Sequence, residues 1–504
     1  MLILQSTLYF FTMRSYRWKL TLKLLYRIAF LSFLLFLTTL IGCSDENQQA
    51  DITTYNCVDC HTMDLDENHN FPCATCHKGT LNALNKNDAH NSLIAQPGSP
   101  LYMAKICTTC HSKDVKSAGD SLHFTLKKST NLFRKSFGAI TNLDTFLQTP
   151  EPDQPQSALQ LADDLLRRRC FNCHPFNSGN NFPLTSHGTG CAACHLPFVD
   201  GSLVSHGFSK PSDVRCLSCH YGNYVGFDYY GRFEHDLNNE YRTPYTTTKE
   251  FFRPYGVEYH QLAPDIHQQK GLWCIDCHTG NELMHTGENK PSCKGCHLEK
   301  ELIFSPPDNI TAQEEGFVML DTEGRLHPVP TMTDPAHFLY DQKVSCQSCH
   351  AQWTFNDTGK HYLRLDSDDF DSWSSLTTQG NIEVQTIVEN NIDFDKTEMA
   401  VQMKDTLSGR MKDGVWLKGY SQRRWEEVLL GRNSDGIITT IRPALDFSLS
   451  WVDKNDNVRF DSVMSHSPNS GYLPYVPHTT GSAGIFYRQR IDRFLKTEHS
   501  PITK

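Results

Sequence analysis

Acidic residues are absent from the first 42 residues, where an apolar run, 28–41, follows a basic segment. This run is shorter than the roughly twenty apolar residues that a membrane-spanning helix needs. A basic segment ahead of a short apolar run is typical of a secretory signal, which is removed from the mature chain. We therefore predict an exported protein and not a spanning helix. The basic residues are Arg14, Arg17, Lys19, Lys23 and Arg27.

The apolar run ends in Leu40-Ile41-Gly42-Cys43, which resembles a bacterial lipobox. This resemblance implies cleavage before Cys43 and lipidation of its thiol and amine, and the alternative is a free thiol at the end of the signal. Ser44 after the cysteine, by the same analogy, implies sorting to the outer membrane, on its periplasmic or cell-surface face. We predict a lipoprotein signal over 1–42 and a lipidated tether over 43–54.

Basic residues are too few for a nucleic-acid-binding protein. The chain has 47 Lys and Arg, and removing the five in residues 1–42 leaves 42 against 57 Asp and Glu, a formal charge of −15. Such a balance argues against nucleic acid and favours basic protein partners or metal cations. Hydrophobic residues are also scarce, at 38% of the chain, so a large conventional apolar core is not expected.

Cysteine is absent after Cys349, and every cysteine beyond Cys43 belongs to a Cys-x-x-Cys-His motif. This motif is the attachment signature of c-type haem. Numbered along the chain, motifs 1 to 9 are Cys57-Cys60-His61, Cys73-Cys76-His77, Cys107-Cys110-His111, Cys170-Cys173-His174, Cys191-Cys194-His195, Cys216-Cys219-His220, Cys274-Cys277-His278, Cys293-Cys296-His297 and Cys346-Cys349-His350.

The spacing within the motif has a chemical reason. Two intervening residues allow both thiols to add to the vinyl groups of one haem, while the adjacent histidine becomes the proximal ligand of the iron. Zinc ribbons and disulfide frameworks also use paired cysteines, but neither requires a histidine after every second cysteine. The sequence therefore predicts nine covalently attached haem c groups.

Some motifs are separated by short intervals, which limit how much secondary structure can lie between them. The first cysteines of motifs 1 and 2 are 16 residues apart, and those of motifs 7 and 8 are 19 apart. Such intervals leave little room for secondary structure, so we expect a multihaem cytochrome c that is loop-rich, with mostly short α-helices around packed haems. This nine-haem domain is predicted over 55–362, and the haems would supply much of its core.

Residues 363–504 differ in character, and we expect a smaller haem-free module of mixed α/β structure that packs on the haem domain. Segments 436–442, 447–452 and 458–460 have strand patterns, with a hairpin turn over 453–457. Segment 421–431 has a more helical pattern. Further upstream, Ser157 is predicted to cap a helix that runs towards motif 4.

Fifteen of the 24 histidines lie outside the motifs, and some of them would close the second axial position of the irons. A bis-histidine iron is suited to electron transfer, whereas an iron with one open position can bind a small molecule. The candidate distal ligands nearest to a motif are His69, His187, His206, His267, His285 and His337. The next candidates are His90, His123, His260, His361 and His478.

The chain resembles the multihaem c-type cytochromes of bacterial respiratory chains, including the octahaem group often labelled tetrathionate-reductase-like. The resemblance rests on Asp265-Ile-His267 leading to Gly271-Leu-Trp-Cys274-Ile-Asp-Cys277-His278, on 436–460, and on Pro477-His478-Thr-Thr480. In such relatives a Pro-His-Thr segment often precedes a last haem motif. Here the residues from Gly481 onward contain no cysteine, so that haem is missing.

The sequence thus predicts a non-catalytic electron carrier of a respiratory or extracellular electron-transfer chain. Its partners would be other redox proteins, such as cytochromes or a porin–cytochrome complex, and the membrane that holds its lipid anchor. A first alternative is a terminal reductase of tetrathionate, nitrite or hydroxylamine at one open haem. A second is a structural subunit of a porin–cytochrome complex or a cytochrome filament.

Overall fold

The computed structural model describes residues 54–498, except for positions 181, 223–224, 235–254, 256, 258, 286–289, 298–306, 315, 374–375, 377–380, 425–426 and 485. The predicted signal over 1–42, the proposed lipidation site Cys43 and all but the last residue of the tether over 43–54 lie outside the described residues. Across the described ranges, no helix has the length and apolar character that a membrane crossing requires.

Most α-helices of the described residues are one or two turns long. In chain order they are α1 Cys57–Cys60, α2 Ala74–His77, α3 Lys86–Ala89, α4 Met103–Ile106, α5 Thr108–Asp120, α6 Leu122–Thr125, α7 Lys127–Lys135, α8 Ala158–Arg168, α9 Ala192–His195, α10 Asp213–His220, α11 Gly226–Tyr229, α12 Ile266–Gln269, α13 Cys274–Cys277, α14 Gly280–Leu283, α15 Cys293–Cys296, α16 Pro335–Tyr340, α17 Cys346–His350, α18 Ile382–Ile392 and α19 Tyr487–Glu498.

The strands concentrate in the second half of the chain. They are β1 Phe198–Val199, β2 Ser202–Leu203, β3 Arg232–Glu234, β4 Tyr259–Gln261, β5 Ile310–Gln313, β6 Gly316–Leu320, β7 Leu326–Val329, β8 Asn356–Thr358, β9 Lys360–Leu365, β10 Gln402–Lys404, β11 Met411–Asp413, β12 Val415–Gly419, β13 Gln422–Arg424, β14 Leu430–Arg432, β15 Ile438–Pro443, β16 Phe447–Val452, β17 Val458–Met464 and β18 Tyr472–Pro474.

The largest sheet has the strand order β12-β9-β16-β17. Strands β9 and β16 run parallel, while the outer pairs are antiparallel. Trp416, Leu363 and Leu449 are almost fully buried at its centre. We call residues 127–168 together with 356–474 the sheet module, and residues 54–126 together with 169–355 the motif region.

Helix α8 belongs to the sheet module although it lies about 200 positions before the sheet in sequence. Ser157 caps it by accepting a hydrogen bond from the Gln160 N–H, as predicted. Leu161 and Leu165, one turn apart on one face of the helix, are fully buried in the same apolar cluster as the sheet residues. The haem-free core therefore draws on sequence upstream of motif 4 as well as on the C-terminal stretch.

The C-terminal strand patterns agree with β15, β16 and β17, and Asp453 closes the turn between the last two by accepting from the Asn455 and Asn457 N–H groups. The helical expectation for 421–431 is wrong, because β13 begins at Gln422 and β14 at Leu430. Pairing of β13 with β8 and of β14 with β15 overrides the local helical preference.

In the motif region the loops pack closely on one another. Gly98 and Gly190 are examples, since a Cβ atom on Gly98 would lie 1.9 Å from the Thr189 carbonyl oxygen. Glycine therefore permits the segment before motif 3 to touch the segment before motif 5. Sequence-distant attachment loops are brought together in this way.

Candidate haem-binding sites

The attachment motifs adopt one local geometry in most cases. In motifs 1, 2, 3, 5, 7 and 8 the histidine N–H donates to the carbonyl of the first cysteine at 2.8–3.1 Å. Motifs 6 and 9 lie inside α10 and α17. In these eight motifs one helical turn therefore fixes the positions of the two thiols and the imidazole relative to one another.

Motif 4 departs from this pattern. Residues Cys170–Asn172 form a 3-10 turn, and Cys173 has non-helical dihedral angles (φ −107°, ψ 73°). The Nδ1 atom of His174 accepts a hydrogen bond from the Phe176 N–H at 3.0 Å. Phe146 packs on the ring of His174, with the ring centroids 4.5 Å apart.

Seven of the nine motif histidines face a second histidine at a nearly constant separation. The ring centroids of these pairs are 6.0–6.3 Å apart. The pairs are His61–His90, His111–His69, His77–His206, His220–His123, His297–His267, His278–His478 and His350–His337.

This separation fits a metal ion between the rings. Metal to imidazole nitrogen distances are about 2 Å, so two imidazoles in line across one metal have ring centroids roughly 6 Å apart. Packed aromatic pairs also occur at such distances, but packing alone does not select a motif histidine and a non-motif histidine seven times. The residues present therefore fit bis-histidine haem iron.

The second ring nitrogen of many of these histidines lies on an oxygen acceptor. Nδ1 of His77, His297 and His350 is 2.9 Å from a backbone carbonyl oxygen. Nδ1 of His278 is 2.8 Å from a Glu282 carboxylate oxygen. A metal-binding histidine usually donates its other N–H to a carbonyl or carboxylate, which orients the ring and leaves Nε2 to the metal.

Two distal candidates are oriented by carboxylates that the sequence analysis did not single out. Asp66 Oδ2 lies 2.8 Å from Nδ1 of His69, and Asp265 Oδ1 lies 2.7 Å from Nδ1 of His267. Asp265 also accepts from the Thr480 N–H, which ties the segment around His478 to α12. A carboxylate two or three residues before a histidine is the sequence signal that could have found them.

Burial keeps several of these imidazoles neutral. Burial lowers the pKa of His123 below its usual value. Burial likewise lowers the pKa of His478 below its usual value. The neutral imidazole is the form that binds a metal.

Four of the candidate distal histidines do not belong to the seven pairs. Nε2 of His187 lies 3.6 Å from the Cys219 sulfur, and Nε2 of His361 lies 2.8 Å from the Ser450 hydroxyl. The ring of His260 stacks near Phe233, and His285 is exposed. Among the described residues, no histidine ring stands opposite His174 or His195 at the separation of the seven pairs.

Thiol contacts bring different motifs together. The cysteine side chains of motifs 3 and 5, 4 and 6, 6 and 7, and 8 and 9 lie close enough to interact. Electrostatic interactions between cysteines also relate motif 2 to motif 3, motif 5 to motif 6, and motif 7 to motif 8. The spatial order is therefore 2-3-5-6-7-8-9, with motif 4 beside motif 6. The cysteines that come together in this way are Cys107–Cys191, Cys173–Cys219, Cys216–Cys274 and Cys293–Cys346.

The eighteen described cysteines form no disulfide bonds with one another. Among the described residues, no group of three or more His, Cys, Asp or Glu side chains is arranged to hold a metal ion by itself. Comparisons of the chain with protein-family models, with curated protein sequences and with solved structures return no match.

Proposed function

We propose that the chain is a nine-haem c-type cytochrome that transfers electrons along closely spaced haems in a bacterial respiratory or extracellular electron-transfer chain. The observation that carries the proposal is the set of seven histidine pairs, each joining a motif histidine to a histidine elsewhere in the chain. The paired cysteines of each motif would hold one haem covalently, and its iron supplies a one-electron redox couple.

The chain's own residues would position and tune these groups. Acceptors such as Glu282 and Asp265 orient the imidazoles, and a carboxylate acceptor raises the basicity of the ring that it holds. An iron closed at both axial positions by imidazoles would be suited to electron transfer.

The spatial order of the motifs supports a continuous route. Cysteine side chains of successive motifs in this order lie close enough to interact electrostatically, so haems held there would lie near one another. The excess of acidic residues outside 1–42 favours basic redox partners. We further propose that the protein is exported and anchored to the outer membrane through lipidated Cys43, where cytochromes or a porin–cytochrome complex would be its partners.

Low-temperature electron paramagnetic resonance (EPR) of the oxidised holoprotein tests the proposal. Seven bis-histidine irons should give low-spin signals that added cyanide or nitrite leaves unchanged. High-spin signals from most of the irons would overturn the assignment of the seven pairs. The haem content of the same sample must be measured, so that lost haem is not mistaken for an altered ligand.

A second candidate function is the terminal reduction of a small molecule, tetrathionate, nitrite or hydroxylamine, at one open haem. It is favoured by one observation, that His174 and His195 face no histidine ring at the separation of the other seven. A high-spin signal that converts to low spin on addition of cyanide would support an open iron. Nine low-spin irons that ignore added ligand would remove this candidate.

A further inference from the structure

Helices α16, α17 and α19 meet around motif 9, and we call their combined surface the motif 9 face. Motif 9 is the last in the spatial order of the motifs, and its histidine faces His337 on α16. Helix α19 lies on the motif itself, because the Arg490 guanidinium donates to the Ser348 carbonyl at 2.8 Å. An edge-to-face contact between Tyr340 and Tyr487 joins α19 to α16. A haem at motif 9 would therefore lie at one end of the route, next to this face.

Large apolar side chains are exposed on the motif 9 face. Phe338 and Leu339, which directly follow His337, are 61% and 59% exposed, and Phe486 just before α19 is 67% exposed. Successive residues of an α-helix are turned by about 100°, so Leu339 lies on nearly the opposite side of α16 from His337. A haem bound by His337 would thus leave Leu339 uncovered. Contiguous exposed apolar side chains of this kind mark protein interaction sites.

The motif 9 face is locally cationic in an acidic protein. Residues 334–350 and 487–497 contain five Lys and Arg against three Asp, and one of these, Asp341, pairs with Lys294 of motif 8. At the other end of the route, residues 54–77, which hold motifs 1 and 2, contain four Asp and Glu and no Lys or Arg. The cations of the motif 9 face are Lys343, Arg488, Arg490, Arg493 and Lys496.

We infer that the motif 9 face docks an acidic electron-transfer protein, which exchanges electrons with the haem at motif 9. The inference rests on the proposed function, because the partner needs a haem there to react with. One electron would pass between the partner's cofactor and the motif 9 iron, so that one is oxidised as the other is reduced. The cations would steer the acidic partner towards the face, and the exposed apolar side chains would form the centre of the contact.

Stopped-flow reduction of the oxidised full-length holoprotein by reduced flavodoxin, a small acidic one-electron donor, tests the inference. The rate, followed by haem absorbance, should fall as ionic strength rises, because salt screens the attraction. The decisive variant combines Lys343→Glu with Arg493→Glu, two exposed residues that bind no haem. Its second-order rate constant should be lower than the native one by about tenfold or more, because the steering charges are reversed.

The charge-matched control combines Lys135→Glu with Lys454→Glu, which changes the net charge equally at two exposed residues of the sheet module. At about 0.1 M ionic strength, where charges are screened over about 10 Å, its rate constant should stay within about twofold of the native one.

Three results would overturn the inference: a native rate that rises with ionic strength, equal losses in the two double variants, or a native rate in the motif 9 variant. Dithionite, a small reductant that needs no docking surface, should reduce nine haems in every sample. Full reduction by dithionite beside any of the three results would refute the docking surface alone. Fewer than nine haems would count against the proposed function instead.

Discussion

The motif region and the sheet module hold themselves together in different ways. The sheet module contains one large apolar cluster of eighteen buried residues, whereas clusters confined to the motif region have three or four. In the motif region, apolar side chains such as Val58 and Leu101 are about 60% exposed (61% and 62%). Among its described residues the motif region has only small apolar clusters, which agrees with the proposal that haem groups supply much of its core.

We expect the stabilities of the two regions to differ most when the chain is produced without haem. The chain produced in a host without c-type haem attachment should have a motif region that exchanges its amide hydrogens rapidly. Strands β9, β12 and β16 should stay protected, because their core is made of side chains. Hydrogen–deuterium exchange with mass spectrometry measures both regions at once. Equal protection of the two regions in the haem-free chain would contradict the comparison.

A buried ion pair ties α8 to the rest of the sheet module. Arg167 Nε donates to Asp405 Oδ2 at 2.7 Å, with both side chains more than nine-tenths buried. The substitution Asp405→Asn leaves the buried guanidinium with Glu151 as its remaining carboxylate partner. The free energy of unfolding of the module should fall by roughly 3 kcal/mol, the lower end of the cost of breaking a buried pair. Urea denaturation followed by circular dichroism measures this loss.

Asp153→Asn is the control for this change, since Asp153 is 91% exposed where it pairs with Lys412. It should change the free energy of unfolding by less than about 0.5 kcal/mol. Equal effects of the two substitutions would mean that the buried pair does not join α8 to the module.

The apolar core of the sheet module should respond to truncation. Leu449 is fully buried on β16, and Leu449→Ala should cost roughly 2–5 kcal/mol through lost burial and the cavity left behind. Val458→Ala removes a side chain that is 63% exposed on β17, and its effect should stay within about 0.5 kcal/mol. Similar melting temperatures for both variants would show that this core is not where the stability resides.

The substitution with the smallest expected effect removes the distal ligand of a single haem iron. His478→Ala removes the ring opposite His278, so one iron should turn high-spin in the EPR spectrum while the others keep their signals. His361→Ala should leave the spectrum unchanged, because its Nε2 already bonds Ser450 within the sheet module. A high-spin signal in the His361 variant, or none in the His478 variant, would reverse the assignment of the two histidines.

Local features could be predicted from the sequence because they depend on neighbouring residues. The cap at Ser157, the strand pattern of 447–452 and the turn at Asp453 are of this kind. The histidine pairs are not, because His278 and His478 are 200 positions apart in sequence and fifteen non-motif histidines compete for nine positions. The inclusion of α8 in the sheet module likewise depends on tertiary packing.

Segment 421–431 shows that a local sequence pattern does not determine secondary structure by itself. Its composition favours a helix, yet the edges of β8 and β15 supply hydrogen-bonding partners that make strands of both its ends. Motif 4 likewise shows that the motif sequence alone does not determine the local geometry of the candidate site. Its sequence is that of the other motifs, but the packing of Phe146 and the bond from the Phe176 N–H set His174 apart.

The most direct test of the central claim is the mass of the intact protein, purified from a host that attaches c-type haem. The account predicts a mass increase equal to nine haems, with none lost on denaturation, because each is bound through thioether bonds. An unmodified mass, or haem that dissociates when the chain unfolds, would contradict the assignment of the nine motifs as haem attachment sites.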